Sequence, residues 1–217
     1  MKIQSITSLL ALLAVVAFGA FAQAQEMEKS EAQCDGECPI AAAMGDLPKM
    51  TYKVGEESVC CANAAAELAK TSGEPINYVV GEESFTEKEA AMTSLVETTE
   101  AFVTEFVTPC KCDVSGVTKI AGKSCNCPID AGKKAELVST AVSGISMSYV
   151  VGEETCNCPN KAAALAKTSG DEQFYVVGEE KTCCEMTARL NLARAKYKAA
   201  VEALASVDQP STEEAGS

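Results

Sequence analysis

Twelve cysteines and no histidine define the chemistry open to this 217-residue chain. They stand at Cys34, Cys38, Cys60, Cys61, Cys110, Cys112, Cys125, Cys127, Cys156, Cys158, Cys183 and Cys184. Two groups are adjacent pairs, 60/61 and 183/184. Three are C-x-C, at 110/112, 125/127 and 156/158, and three residues separate Cys34 from Cys38. Without histidine there is no Ser-His-Asp or Cys-His catalysis and no imidazole-ligated metal. The C-x-x-C spacing of disulfide oxidoreductases is absent, so a thiol redox role ranks last. No nucleophile–base pair or cofactor fingerprint is present, and the chain reads as a non-enzyme.

Two chemistries remain. An even number of cysteines in an exported chain reads first as a disulfide framework, and all twelve are candidates. Adjacent residues have Cα atoms about 3.8 Å apart, short of the ~4.4–6.8 Å that unstrained bridges span. Each adjacent pair is therefore expected to bond to other groups. Cys34 and Cys38 can meet Cys60 and Cys61, and the eight later cysteines can form four bridges. The alternative is that Cys60, Cys61, Cys110, Cys112, Cys125, Cys127, Cys156, Cys158, Cys183 and Cys184 hold a soft metal, Cu(I) or Zn(II), as thiolates. The CC and C-x-C pairs resemble the cysteine spacing of metallothioneins, and the resemblance covers spacing alone. Disulfides lead because an exported compartment oxidises free thiols.

Export is read from the first residues, "MKIQSITSLLALLAVVAFGAFAQAQ". Lys2 is a short positive region, Leu9 to Phe18 an apolar run, and Ala22-Gln23-Ala24 a small-x-small cleavage site. These are the parts of a signal peptide over 1–24, which places the mature chain in the periplasm or outside the cell. The formal net charge of −13 argues against nucleic acid and anionic membrane surfaces, which need clustered Lys and Arg. It favours cationic partners, metal ions among them. A protein, a small ligand or a metal ion all remain as partners.

The elements that position the cysteines are repeated. "VGEE" occurs four times, with Gly55, Gly81, Gly152 and Gly178 as its glycines. The first and third lie 97 residues apart (152 − 55 = 97), and "LAKTSG" recurs in the same register at 68–73 and 165–170. A partial copy occupies 117–138. Apolar residues lead into each Gly-Glu, which suits a type II′ hairpin turn, and an alanine-rich helix follows. Pro159 suits a first helical turn, and Gly73 and Gly170 suit helix stops. Thr86 and Glu89 have the spacing of a capping box. Ala91, Leu95, Phe102 and Phe106 fall on one face of the second helix; Leu190, Ala193, Tyr197, Val201 and Leu204 do so in the last.

The expected fold is α+β: a tandem duplication of a small hairpin–helix–hairpin–helix module, with helices packed on antiparallel sheets. The first module spans 34–108, and the second, with its extra part-unit, spans 109–205. Residues 25–33 and 206–217 read as disordered tails. Three further patterns have plain explanations. "GVTKIAGKS" at 116–124 has one residue too many between its glycines for a phosphate loop and reads as a repeat turn. The glutamate pairs of the turns read as solvated surface. Tyr52, Tyr78, Tyr149 and Tyr175 read as cross-strand packing. The function expected is binding or structural, with the hairpins presented outward.

Overall fold

A computed structural model describes residues 39–111, 118–125 and 128–207. The expected signal peptide and N-terminal tail, along with Cys34, Cys38, Cys112 and Cys127, lie outside the described residues. Within them the fold is α+β, with six helices, two antiparallel four-stranded sheets and a three-stranded sheet. No helix among the described residues is long and apolar enough to cross a membrane.

Glycine at positive φ creates each hairpin. β1 (Met50–Val54) and β2 (Glu57–Val59) turn at Gly55, with φ 61°. β3 (Ile76–Val80) and β4 (Glu83–Phe85) turn at Gly81, with φ 59°. The glutamates that follow are not at positive φ, which matches a type II′ turn and excludes type I′. Helix α2 (Ala62–Ser72) follows the first hairpin and α3 (Lys88–Val107) the second. The first strands of the two hairpins pair antiparallel, giving the order β2-β1-β3-β4.

The second sheet has the same plan. β8 (Met147–Val151), β9 (Glu154–Cys156) and α5 (Pro159–Ser169) are followed by β10 (Gln173–Val177), β11 (Glu180–Thr182) and α6 (Glu185–Val207). Its order is β11-β10-β8-β9. Each element starts 97 residues after its counterpart in the first sheet. The central tyrosines face one another: Tyr52 pairs with Tyr78 and Tyr149 with Tyr175, edge to face at 5.8 and 5.6 Å between centroids.

Between the sheets, β5 (Cys110–Lys111) pairs with β6 (Thr118–Ile120), which forms a hairpin with β7 (Lys123–Cys125) before α4 (Pro128–Ser143). Here Ala121 and Gly122 both have positive φ, 53° and 70°, the signature of type I′. The described part of the phosphate-loop look-alike is therefore strand and turn. A short helix α1 (Pro39–Gly45), not expected from periodicity, precedes β1.

The helix ends follow local chemistry at one terminus and tertiary geometry at the other. Gly73 and Gly170 sit in the left-handed region and donate to the Ala69 and Ala166 carbonyls, as their sequence positions imply. The capping box at Thr86 and Glu89 does not form. The N-cap of α3 is Glu87, with no side-chain cap bond. A fixed two-residue joint explains the difference, because Cys61, Glu87 and Cys158 each cap a helix two residues after a strand ends. The hairpin thus places the helix start and overrides the local motif. Helix α6 also runs to Val207, past the tail boundary expected at 206.

The long helices join the two halves. Val103 of α3 and Ala193, Tyr197 and Val201 of α6 bury against Leu47. Leu190 of α6 packs into the first sheet's cluster with Val80, Ala91, Leu95 and Val96. Ala200 of α6 meets Ile120 and Val138. Arg189 of α6 grips Glu100 of α3 with two N–H bonds of 2.9 and 2.5 Å. The boundary expected at 108/109 falls between α3 and β5, and α3 before it shares one core with α6 after it.

Candidate functional site: cysteine pairs at the helix starts

The residue before each helix is cysteine in five of the six described helices: Cys38, Cys61, Cys127, Cys158 and Cys184. The exception is Glu87, before α3. A second cysteine stands one or two residues earlier in four of the five, as Cys60, Cys125, Cys156 and Cys183. At Cys61, Cys158 and Cys184 the fixed joint explains the placement. The strand ends opposite a central tyrosine, the chain turns away, and the residue before the helix is left at the surface.

All seven cysteines whose side chains are described carry free thiols in this structure. Cys60, Cys61, Cys110, Cys158, Cys183 and Cys184 are exposed, and Cys156 is half-buried. Cys156 pairs across strands with Tyr149, and its S–H donates to the Cys158 carbonyl at 3.7 Å. Cys61 makes no cap hydrogen bond of ordinary geometry. The backbone N–H groups of Ala64 and Asn63 nonetheless face its thiol and hold its pKa below the usual value. Cys184 is lowered too, by the Thr187 hydroxyl first and then by the N–H groups of Thr187 and Met186. At these two positions the first turn of the helix has N–H groups without intrahelical partners, and these stabilise a thiolate.

The second sheet adds a polar cluster beside its pair. Burial, then the charge of Glu185 and those of Cys158 and Cys156, raises the pKa of Tyr149. Burial and Glu185 also raise Tyr175, whose hydroxyl donates to the Glu185 carboxylate at 3.5 Å. In the first sheet Lys88 and Val59 occupy the places of Glu185 and Cys156.

Strand order restricts the disulfides open to the later cysteines. Cys156 ends edge strand β9 and Cys183 follows edge strand β11, three strand spacings away. At ~4.8 Å per spacing the strands lie ~14 Å apart. One residue of chain recovers only ~4 Å, so the pair stays outside the ~7 Å limit for a bridge. Cys110 and Cys125 lie on strands that flank β6, about 10 Å apart, and exceed the same limit. Either bridge needs backbone movement. Among the described residues no three Cys, Asp or Glu side chains converge on one point, and the thiols come in twos.

The turn glutamates are exposed, as composition suggests, but one of each second-hairpin pair has a partner. Ser94 donates to Glu83 at 3.3 Å, and Asn191 donates to Glu180. These bonds clip each second hairpin to its long helix. The signal available beforehand was the pairing of Ser94 and Asn191 at the repeat offset.

No family model, curated protein or solved structure matches this chain.

Proposed function

We propose that this chain is an exported, non-enzymatic repeat protein, built by tandem duplication of a hairpin–helix–hairpin–helix module, that binds a soft cation through the thiol pairs at its hairpin–helix joints. The observation that carries this reading is the placement of the thiols. Six of the seven described thiols, all but Cys110 on β5, stand at hairpin–helix joints, two to a joint and outside the buried members of all four apolar clusters. At Cys61 and Cys184 free N–H groups favour the thiolate, the form that binds metal. Two thiolates suit the low coordination number and softness of Cu(I). Zinc takes four N or S ligands and would need two joints brought together. The acidic surface draws cations toward the sites.

Disulfide stapling is the second reading. One observation favours it: Cys156 packs against Tyr149, Val151 and Ala162, where a bridge would be shielded. Native protein alkylated under denaturing, non-reducing conditions separates the two. Soft-cation binding predicts thiols that alkylate only after metal is stripped, with copper in stoichiometric amount in anaerobically purified protein. Stapling predicts almost no alkylatable thiol with or without a chelator, and that result overturns the first reading.

A further inference from the structure

Apart from the hairpin–helix joints, helices α3 and α6 and the β6–β7 turn border a cleft of ≈ 580 Å³, with the exposed Cys110 thiol on its wall. That volume lies within the ~300–1,000 Å³ of small-molecule sites. Three rings wall it. Phe106 meets Tyr197 edge-on at 4.6 Å between centroids, and Phe102 lies 5.5 Å from Tyr197 and 6.4 Å from Phe106. Tyr197 is buried, and its hydroxyl donates to the Ala43 carbonyl at 3.1 Å, which fixes the ring. Phe102 and Phe106 are only half-buried, so part of their surface faces the cleft.

The charges of the described wall residues have a net sign. Among them Asp46 and Glu105 are exposed carboxylates, and Lys119 is the single cation. Burial and then the Asp46 charge raise the Tyr197 pKa, which places that carboxylate's field on the ring. Aromatic faces and carboxylates have one kind of small ligand in common. Each attracts a positive charge, the ring through its quadrupole and the carboxylate directly, and both do so more strongly as water is excluded.

The aromatic wall is also particular to this place. α6 follows its hairpin as α3 does, yet it has Ala199 and Ala203 where α3 has Phe102 and Phe106. A hairpin–helix unit therefore does not need rings at these positions.

We propose that this cleft binds a small organic ammonium ion, with the ring faces of Phe102 and Phe106 against its alkyl groups and Asp46 and Glu105 offsetting its charge. Lys119 opposes the ligand and limits affinity.

The test uses the full mature chain, choline as the probe and 3,3-dimethylbutanol as its neutral isostere, with binding followed by calorimetry and by NMR shifts. Choline is expected to bind at least about tenfold more tightly than the isostere. Asp46→Asn and Glu105→Gln remove charge from exposed side chains and leave the core intact; each is expected to weaken choline at least threefold. Phe106→Leu keeps apolar packing, and it should weaken choline while leaving the isostere nearly unchanged. Lys119→Ala should tighten choline. Equal binding of choline and the isostere would mean an apolar cleft alone and would overturn the proposal. So would a failure of choline to shift any cleft resonance, or weaker binding in Lys119→Ala.

Discussion

Tyr197 is the residue on which the shared core depends most, and two substitutions separate its roles. Its side chain is 1% exposed, touches Phe102 and Phe106, and donates to the Ala43 carbonyl. Tyr197→Phe removes the hydroxyl alone and leaves that carbonyl without its donor, a loss of about 1 kcal/mol. In a domain of this size that lowers the midpoint by roughly 2–4 °C. Tyr197→Ala removes the ring from between α1, α3 and α6 and should cost about 3–5 kcal/mol. Thermal and urea unfolding of the reduced chain, followed by circular dichroism, measures both. A single transition is expected in each variant, because α6 packs against elements of both halves. A loss below about 1 kcal/mol for Tyr197→Ala would refute the reasoning, as would separate transitions for the two halves.

Three further outcomes follow from the same structure. The Tyr197 pKa is raised in the folded state, so that state holds the proton more tightly than the unfolded one. Its contribution is full below the unfolded value of about 10 and is lost as pH rises through the folded value; the stability gap between wild type and Tyr197→Phe should change only above about pH 10, measured by midpoints across the alkaline range. Gly55→Ala and Gly152→Ala each force an L-residue to φ near +60° and should cost about 1–2 kcal/mol by urea unfolding; the two should cost about the same, because the Asp171 carboxylate oxygen 2.8 Å from the new Cβ at Gly152 ends an exposed side chain that can rotate away. Glu100→Gln breaks the ion pair to Arg189, but both side chains are about a third exposed, at 32% and 36%, so solvent screening limits the loss to about 1 kcal/mol, falling as salt is added.

What was legible in the sequence was local. A glycine that must take positive φ, as at Gly55 or Gly170, is visible in the chain because no distant residue is needed to explain it. The packed face of α6 was visible for a similar reason: Leu190, Ala193, Tyr197 and Val201 recur at the helical period and are buried, Leu190 in the first sheet's cluster and the other three around Leu47, while Leu204 is half-buried. The capping box at Thr86 failed because the preceding hairpin determines where α3 begins. Helix α1 and strand β5 were missed because both are short and depend on distant partners, α1 on Tyr197 and β5 on β6. The aromatic cleft escaped for the same physical reason, since Phe106 and Tyr197 meet only when α3 and α6 pack. Cysteine spacing showed that the thiols come in twos. It carried no information on strand order, which keeps Cys156 away from Cys183.

The most direct test of the thiol-pair proposal is Cu(I) stoichiometry, measured anaerobically against a competing chelator, for the wild-type chain and its Cys60→Ser/Cys61→Ser variant. Both residues are exposed and outside the core. A joint that binds cation predicts one fewer Cu(I) per chain and an unfolding free energy within about 0.5 kcal/mol of wild type. A joint that serves as a staple predicts unchanged copper and a loss of about 2–5 kcal/mol, the worth of a native disulfide; that pair of results would contradict the account.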